Sequence, residues 1–197
     1  PSADAYNNMG LALRAQRKIN EAIQHFQRAI AINPNLAGPH MNLGNTLLAL
    51  NNLKEALEHY QQALAINPNE VAALQGMGAT LQAQAKFVEA TSYYHRAISV
   101  APQSASLYYN LALLLQKQDK INEAVQVYRE ALEFDPDFSE VHNNLAVILR
   151  SQGNREAAVK HYRHALTSSP NAAGIHQNLS RLLRELGQLD EAIHHLE

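Results

Sequence analysis

Apolar residues recur along the chain in two alternating stretches, each with helical spacing. Leu111, Leu114 and Leu115 form such a stripe in one stretch, and Ile23, Phe26 and Ile30 form one in the other. Intervals of three and four residues place side chains on one face of an α-helix. A proline follows each stretch of the second kind, and the residue before a proline is disfavoured in a helix. The pattern therefore predicts pairs of short helices separated by tight turns.

The whole pattern repeats every 34 residues. One column of equivalent positions is proline, two are alanine, one is aromatic and one is small. These columns are Pro34, Pro68, Pro102, Pro136 and Pro170; Ala22, Ala56, Ala90, Ala124, Ala158 and Ala192; Ala29, Ala63, Ala97, Ala131 and Ala165; Phe26, Tyr60, Tyr94, Tyr128 and Tyr162, with Leu196 in the sixth place; and Gly10, Gly44, Gly78, Ala112, Ala146 and Ser180. A fixed period of this length is typical of stacked helical repeats.

The motif resembles the tetratricopeptide repeat family over the whole chain. The shared features are a small residue in the first helix, alanine, aromatic and alanine in the second, and a closing proline. The resemblance implies an all-α fold, an α-solenoid superhelix of antiparallel helix pairs in about six repeats. We predict one array over residues 1–197, with repeats at 3–36, 37–70, 71–104, 105–138, 139–172 and a truncated 173–197. The turn between paired helices holds glycine only at Gly153 and Gly187.

Composition narrows the function classes. The formal net charge is −2, so the basic field typical of nucleic-acid binders is absent. The chain has no cysteine, which excludes disulfides and thiolate metal sites. The longest apolar run, Leu111 to Leu115, is too short to span a membrane. No phosphate loop, nucleophile elbow or HExxH motif occurs. We expect a cytoplasmic, non-enzymatic protein without cofactor or metal, whose partner is a protein or an extended peptide.

Histidine is a common metal ligand, and the sequence has ten histidines. His161 and His164 share a predicted helix face, but no cysteine or recurring carboxylate accompanies them. His40, His142 and His176 stand where the family usually has an aromatic residue. We therefore expect these histidines to pack rather than to bind metal or catalyse.

One polar column has no evident packing reason, because asparagine is a poor residue inside a helix. It comprises Asn8, Asn42, Asn110, Asn144 and Asn178, and Gly76 interrupts it. An asparagine amide offers both donors and an acceptor, so it can pair with the N–H and C=O of an extended peptide. The column therefore predicts capture of a polypeptide in the groove lined by the first helices.

This column is similar to the asparagine ladder in the superhelical repeat domain of the O-linked N-acetylglucosamine transferase family. The resemblance implies that the five asparagines bind substrate backbone. Sugar transfer in that family belongs to a separate domain, so this chain would be a substrate-recruiting part of a larger enzyme such as a glycosyltransferase.

Four further residues join the predicted peptide-binding set. Arg14, Arg150 and Arg184 lie about one helical turn beyond the column and could pair with acidic ligand side chains, or they are ordinary solvated charges. Tyr109 stands beside Asn110 and either contacts the ligand or packs.

Two alternatives stay open. The asparagines could instead bond across to the neighbouring repeat as a structural ladder. The chain could also be a scaffold that assembles a complex through its convex face or its open ends. Ala192, Ile193 and Leu196 would lie on an open end. We hypothesise that they meet further chain or self-associate with a neighbouring molecule.

Overall fold

Residues 1–195 are described by the structure, a computed structural model, and they are almost entirely helical. They form twelve α-helices. The first helices of the pairs are α1 (Ala3–Ala15), α3 (Ala37–Ala49), α5 (Val71–Ala83), α7 (Ala105–Lys117), α9 (Ser139–Ser151) and α11 (Ala173–Glu185). The second helices are α2 (Ile19–Ile32), α4 (Leu53–Ile66), α6 (Phe87–Val100), α8 (Ile121–Phe134), α10 (Arg155–Ser168) and α12 (Leu189–His194). The predicted all-α class of paired helices is confirmed, and Leu196 lies outside the described residues.

The period of the sequence is also the period of the helices. Both first and second helices begin 34 residues after their counterparts in the preceding pair, from α1 to α12. The chain divides into two compact units, residues 1–102 and 103–197. Unit 1 contains α1 to α6 and unit 2 contains α7 to α12, so each unit has three helix pairs. A single array over all residues stays a prediction.

Each pair is held together by its small columns. The alanines at both positions of the second helices, from Ala22 to Ala192, are at most 1% exposed. Small side chains at these positions allow the two helix backbones to approach closely. The aromatic residue between the two alanines is also buried, for example Phe26 and Tyr60. Within each unit, the second helix of one pair then packs on the first helix of the next, as α2 does on α3 and α10 on α11.

The turn inside each pair has one conformation whatever residue it carries. Arg17, Asn51, Ala85 and Asp119 have φ of 62°, 60°, 59° and 61°, and Gly153 and Gly187 have 81° and 78°. This left-handed residue lets the next amide bond back to the helix, as Lys18 N–H does to the Leu13 carbonyl at 2.9 Å. The four turns without glycine therefore form the same cap at a steric cost.

Candidate peptide-binding face

The asparagine column lies on the first helices of both units, and we call the surface around it in each unit the first-helix face. Its members differ in exposure: Asn8 is exposed, Asn42 is buried, and Asn110, Asn144 and Asn178 are half-buried. First helices of consecutive pairs touch within unit 1, where α3 contacts both α1 and α5. The column is thus accessible at most of its positions but is not uniformly free.

Two members of the column bond back to the preceding repeat in the same way. The Asn42 Nδ2 donates to Asn7 Oδ1 at 2.9 Å, and the Asn178 Nδ2 donates to Asn143 Oδ1 at 3.4 Å. Donor and acceptor are 35 residues apart in both cases. Asn7 and Asn143 lie outside the predicted peptide-binding set. A second asparagine directly before the column was the available signal.

Asn144 instead bonds to a tyrosine of the preceding pair. Its Nδ2 donates to the Tyr128 hydroxyl at 3.1 Å, and that hydroxyl donates to Gln116 Oε1. Burial raises the pKa of Tyr128, so its hydroxyl remains a neutral donor. The residue equivalent to Tyr128 ahead of Asn42 is Phe26, which has no hydroxyl. Asn178 follows Tyr162, which does carry a hydroxyl, yet it bonds to Asn143, so the aromatic residue by itself does not set the partner of the next asparagine.

Asn8 and Asn110 differ from these three residues. Neither makes a side-chain hydrogen bond to another residue within the described part of the chain. Their amides keep both donors and an acceptor for an external partner.

The break in the column at Gly76 has a packing cause. A Cβ atom there would overlap the Tyr60 ring and come within 2.8 Å of its hydroxyl oxygen. The ring is fully buried, and its hydroxyl donates to Asn45 Oδ1 at 2.6 Å. Absence of a side chain at residue 76 therefore allows the aromatic ring of the preceding pair to reach the first-helix face.

The Tyr109 ring packs against two other aromatic rings. Its ring centroid lies 5.2 Å from that of Phe138 and 6.2 Å from that of Tyr128. Burial raises the pKa of Tyr109, and a hydrogen bond with Asn144 partly opposes that rise. The residue is half-buried, so one edge remains available to a ligand.

The three predicted arginines have different surroundings. Arg14 is half-buried, Arg184 is exposed, and Arg150 forms a two-nitrogen contact with Glu185. The hydrogen bond and the charge of Arg150 hold the pKa of the Glu185 carboxyl below its usual range.

A cavity of about 410 Å³ lies beside Arg150 between α9, α10 and α11. It brings Arg150 and Asn178 together with two residues that the predicted site did not include, Arg155 and Arg181. The available signal for Arg155 was that its position is apolar in every other pair.

The histidines of the early aromatic column form pairs with His59 of α4, His161 of α10 and His195, which directly follows α12. The Nδ1 atoms are 3.2 Å apart in His40–His59, 2.8 Å in His142–His161 and 3.0 Å in His176–His195. The Nε2 atom of His142 lies 2.8 Å from the Pro136 carbonyl oxygen, so we assign that nitrogen as the donor and Nδ1 as an acceptor. Burial lowers the pKa of His40, His59, His142 and His195, and it lowers that of His161 to about 4.

No group of three or more His, Asp or Glu side chains among residues 1–195 has a metal-binding arrangement. In the same residues, no helix combines the length and apolar character needed to cross a membrane.

The fold resembles several solved structures. PilF of Pseudomonas aeruginosa matches with a TM-score of 0.87 and 22% identity, over 98% of this chain and 88% of that one. TTC0263, a thermophilic tetratricopeptide repeat protein of Thermus thermophilus, matches with 0.74 and 21%, over 92% and 99% of the two chains. YrrB, described as having an unusual peptide-binding site, matches with 0.63 and 23%, over 87% and 88%. At such identities these likenesses show the fold alone.

Family models settle the classification. No curated protein sequence matches the chain. One model described as tetratricopeptide repeat matches residues 3–36, 39–70 and 105–138, and two further models with that description match 127–160 and 149–197. These matches cover well over half of the 197 residues, and the helices within them keep the 34-residue period. The chain belongs to the tetratricopeptide repeat family.

Proposed function

We propose that this protein binds an extended polypeptide along its first-helix face and holds the ligand backbone with asparagine amides. Tetratricopeptide repeats are protein–protein interaction modules and are typically non-catalytic. The observation that carries the finer proposal is the unpartnered amide at Asn8 and Asn110, within a column that recurs in five of six repeats. A polar amide left without a partner on an accessible surface is suited to an external hydrogen bond.

The spacing suits an extended chain. Packed helices lie roughly 8–10 Å apart, and an extended polypeptide advances about 3.3 Å per residue. One asparagine would therefore meet about every third ligand residue. Such contacts read the backbone and are tolerant of ligand sequence.

The asparagines with internal partners have a supporting role in this proposal. Asn42 gives one amide hydrogen to Asn7 and keeps its Oδ1 as an acceptor. Asn144 both donates to Tyr128 and accepts from the Asn143 Nδ2 at 3.3 Å. We propose that these bonds orient the column, while Arg14, Arg150, Arg184 and Tyr109 flank the ligand. Recruitment of a substrate for a larger enzyme such as a glycosyltransferase is an extension of this proposal, which the complete gene sequence would test.

A pair of variants tests the backbone role. Asn110→Ala is expected to weaken binding on an array of flexible peptides and to leave the melting temperature unchanged, because Asn110 has no internal partner. Asn122→Ala is the matched control, since Asn122 is an exposed asparagine on α8. Unchanged peptide binding in Asn110→Ala, or a loss equal to that in the control, would contradict the proposal. Array hits that share a fixed motif would contradict backbone reading.

A scaffold function is the second candidate, and one observation favours it. Leu189 and Ile193 on α12 are each 57% exposed, and they line one cavity with Arg184 and Ala192. An exposed apolar patch of this kind favours contact with another protein or with a second copy of the chain. Sedimentation equilibrium of the wild type and of Ile193→Lys tests self-association. Monomers for both proteins would count against it.

A further inference from the structure

The cavity between α9, α10 and α11 has an unusual charge. Its lining includes Arg150 from α9, Arg155 and Tyr162 from α10, and Asn178, Arg181 and Glu185 from α11. Three guanidinium groups therefore face one carboxylate. Arg150 is paired with Glu185, whereas neither Arg155 nor Arg181 has an ion-pair partner within residues 1–195. The site carries an excess of two positive charges.

Repeat architecture does not account for these charges. The position of Arg155 is apolar in every other pair, as Ile19, Leu53, Phe87, Ile121 and Leu189. The position of Arg181 is uncharged in every other pair, as Leu11, Asn45, Ala79, Leu113 and Val147. Arg155 is exposed, so it does not replace the packing of an apolar residue. Arg155 replaces an apolar residue and has no ion-pair partner among residues 1–195, so its guanidinium group is available to a ligand.

The cavity already stabilises one carboxylate. The hydrogen bond from Arg150, with the added charges of Arg155 and Arg181, lowers the pKa of Glu185. A guanidinium group offers paired donors that match the two oxygens of a carboxylate. Asn178 lines the same cavity, so a ligand held there through its backbone would place a side chain beside the arginines.

We infer that this cavity binds the carboxylate of an acidic side chain in the captured polypeptide. Arg155 and Arg181 donate to the ligand oxygens, and Arg150 is held in place by Glu185. The inference rests on the proposed function, because a polypeptide must lie on the first-helix face to deliver the side chain. It adds a preference for acidic residues at one point of a face that otherwise reads backbone.

Fluorescence anisotropy with the full chain and two defined probes tests the inference. Both probes are fluorescein-labelled flexible Gly/Ser peptides with blocked ends, one with central glutamates and one with glutamines at the same positions. Blocked ends remove the terminal carboxylate. A third probe with a free C-terminus therefore distinguishes binding of a terminal carboxylate from binding of a side-chain carboxylate. We expect the glutamate probe to bind roughly tenfold more tightly or better, and Arg155→Gln/Arg181→Gln to abolish the difference.

Two further variants keep the result interpretable. Arg155→Leu restores the apolar residue of the other pairs, so it should fold at least as stably and still lose part of the preference. Lys160→Gln removes one exposed positive charge of α10 outside the cavity and should keep the preference.

The failures of the two proposals are distinguishable. If both probes bind equally well and Asn110→Ala still weakens them, the proposed function stands and the acidic preference is overturned. A glutamate preference that survives in Arg155→Gln/Arg181→Gln also overturns it. If neither probe binds, both proposals fail.

Discussion

The two compact units use one repeat but differ in how their helices approach. In unit 1 the small column of the first helices is Gly10, Gly44 and Gly78, and in unit 2 it is Ala112, Ala146 and Ser180. A Cβ atom would lie 2.6 Å from the Phe26 ring at Gly10 and 2.9 Å from the Tyr60 ring at Gly44. Unit 2 accommodates a methyl or hydroxymethyl group at the same place, and Ser180 Oγ even donates to the Ala192 carbonyl at 2.7 Å.

The units also differ on the first-helix face. In the first two pairs of unit 1, the positions equivalent to those of Arg150, Arg155 and Arg181 hold Arg14, Ile19 and Asn45. Only one of these three residues is an arginine. In unit 2 they bring three arginines to one cavity. The difference shows that the repeat preserves the backbone geometry of the helices. Positions whose side chains are not buried in the core can carry different polar or charged residues in each repeat.

The largest effect is expected from completing the asparagine column of unit 1. Gly76→Asn should destabilise the fold by about 1–3 kcal/mol, because its Cβ would overlap the Tyr60 ring. Chemical denaturation measures the change in free energy of unfolding. Asn144→Gly is the reverse change at the equivalent position of unit 2, where the structure already accommodates the asparagine side chain. A stable Gly76→Asn protein would show that the ring can withdraw and that the units are interchangeable here.

The next largest effect is expected from acidification, which should destabilise unit 2 more than unit 1. The pKa of His161 is lowered to about 4, since burial and the charges of His142, His164 and Arg129 disfavour its cation. As the pH falls below about 6.5, the unfolded chain takes up protons before the folded one, so stability is lost on acidification and is fully present above that pH. The loss at pH 5 has an upper bound of about 2 kcal/mol for His161, and solvent screening of the partly exposed ring reduces it below that bound.

Unit 2 has two histidine pairs and unit 1 has one, so unit 2 should lose more protection at low pH. Hydrogen exchange at pH 7.5 and 5 compares the units. His161→Gln removes one titrating group and should flatten the dependence. An identical pH profile for wild type and His161→Gln would refute the assignment.

The turns provide a smaller test. Ala85→Gly should stabilise unit 1 by about 1 kcal/mol, because glycine adopts a φ of 59° without the steric cost that alanine has there. Gly153→Ala should destabilise unit 2 by a similar amount. Thermal unfolding of both variants measures the two shifts. Shifts of the same sign would mean that the turn conformation does not control stability.

The smallest stability effect is expected at the Arg150–Glu185 pair. Glu185→Gln should change the free energy of unfolding less than any of the changes above, since the pair is at the surface and is screened by solvent. The same variant removes the only carboxylate lining the cavity, among its described residues, and should tighten binding of the glutamate probe. Weaker binding would show that Glu185 is needed to position Arg150.

The sequence predicted the fold in detail, because its columns are packing constraints. Buried alanines, a buried aromatic residue and a closing proline recur every 34 residues, and the helices begin at the same interval. Turns without glycine were harder to interpret. Arg17 and Ala85 adopt the left-handed conformation because the flanking helices hold it, which local sequence preference does not reveal.

The candidate site was only partly accessible to sequence analysis. Its asparagine column could be identified, but the partners could not: Asn42 bonds to Asn7 and Asn144 to Tyr128, although both occupy the same position of the repeat. In the sequence, Gly76 was an unexplained interruption of the column. The structure explains it, because a Cβ atom at residue 76 would overlap the Tyr60 ring.

The sequence alone determined the helix pairs, their period and the family, because these depend on residues that recur in register. Tertiary structure decided which polar side chains remain available and that Arg150, Arg155 and Arg181 meet at one cavity. Those three arginines come from three helices and share no motif in sequence. Only the packing of α9, α10 and α11 brings them together.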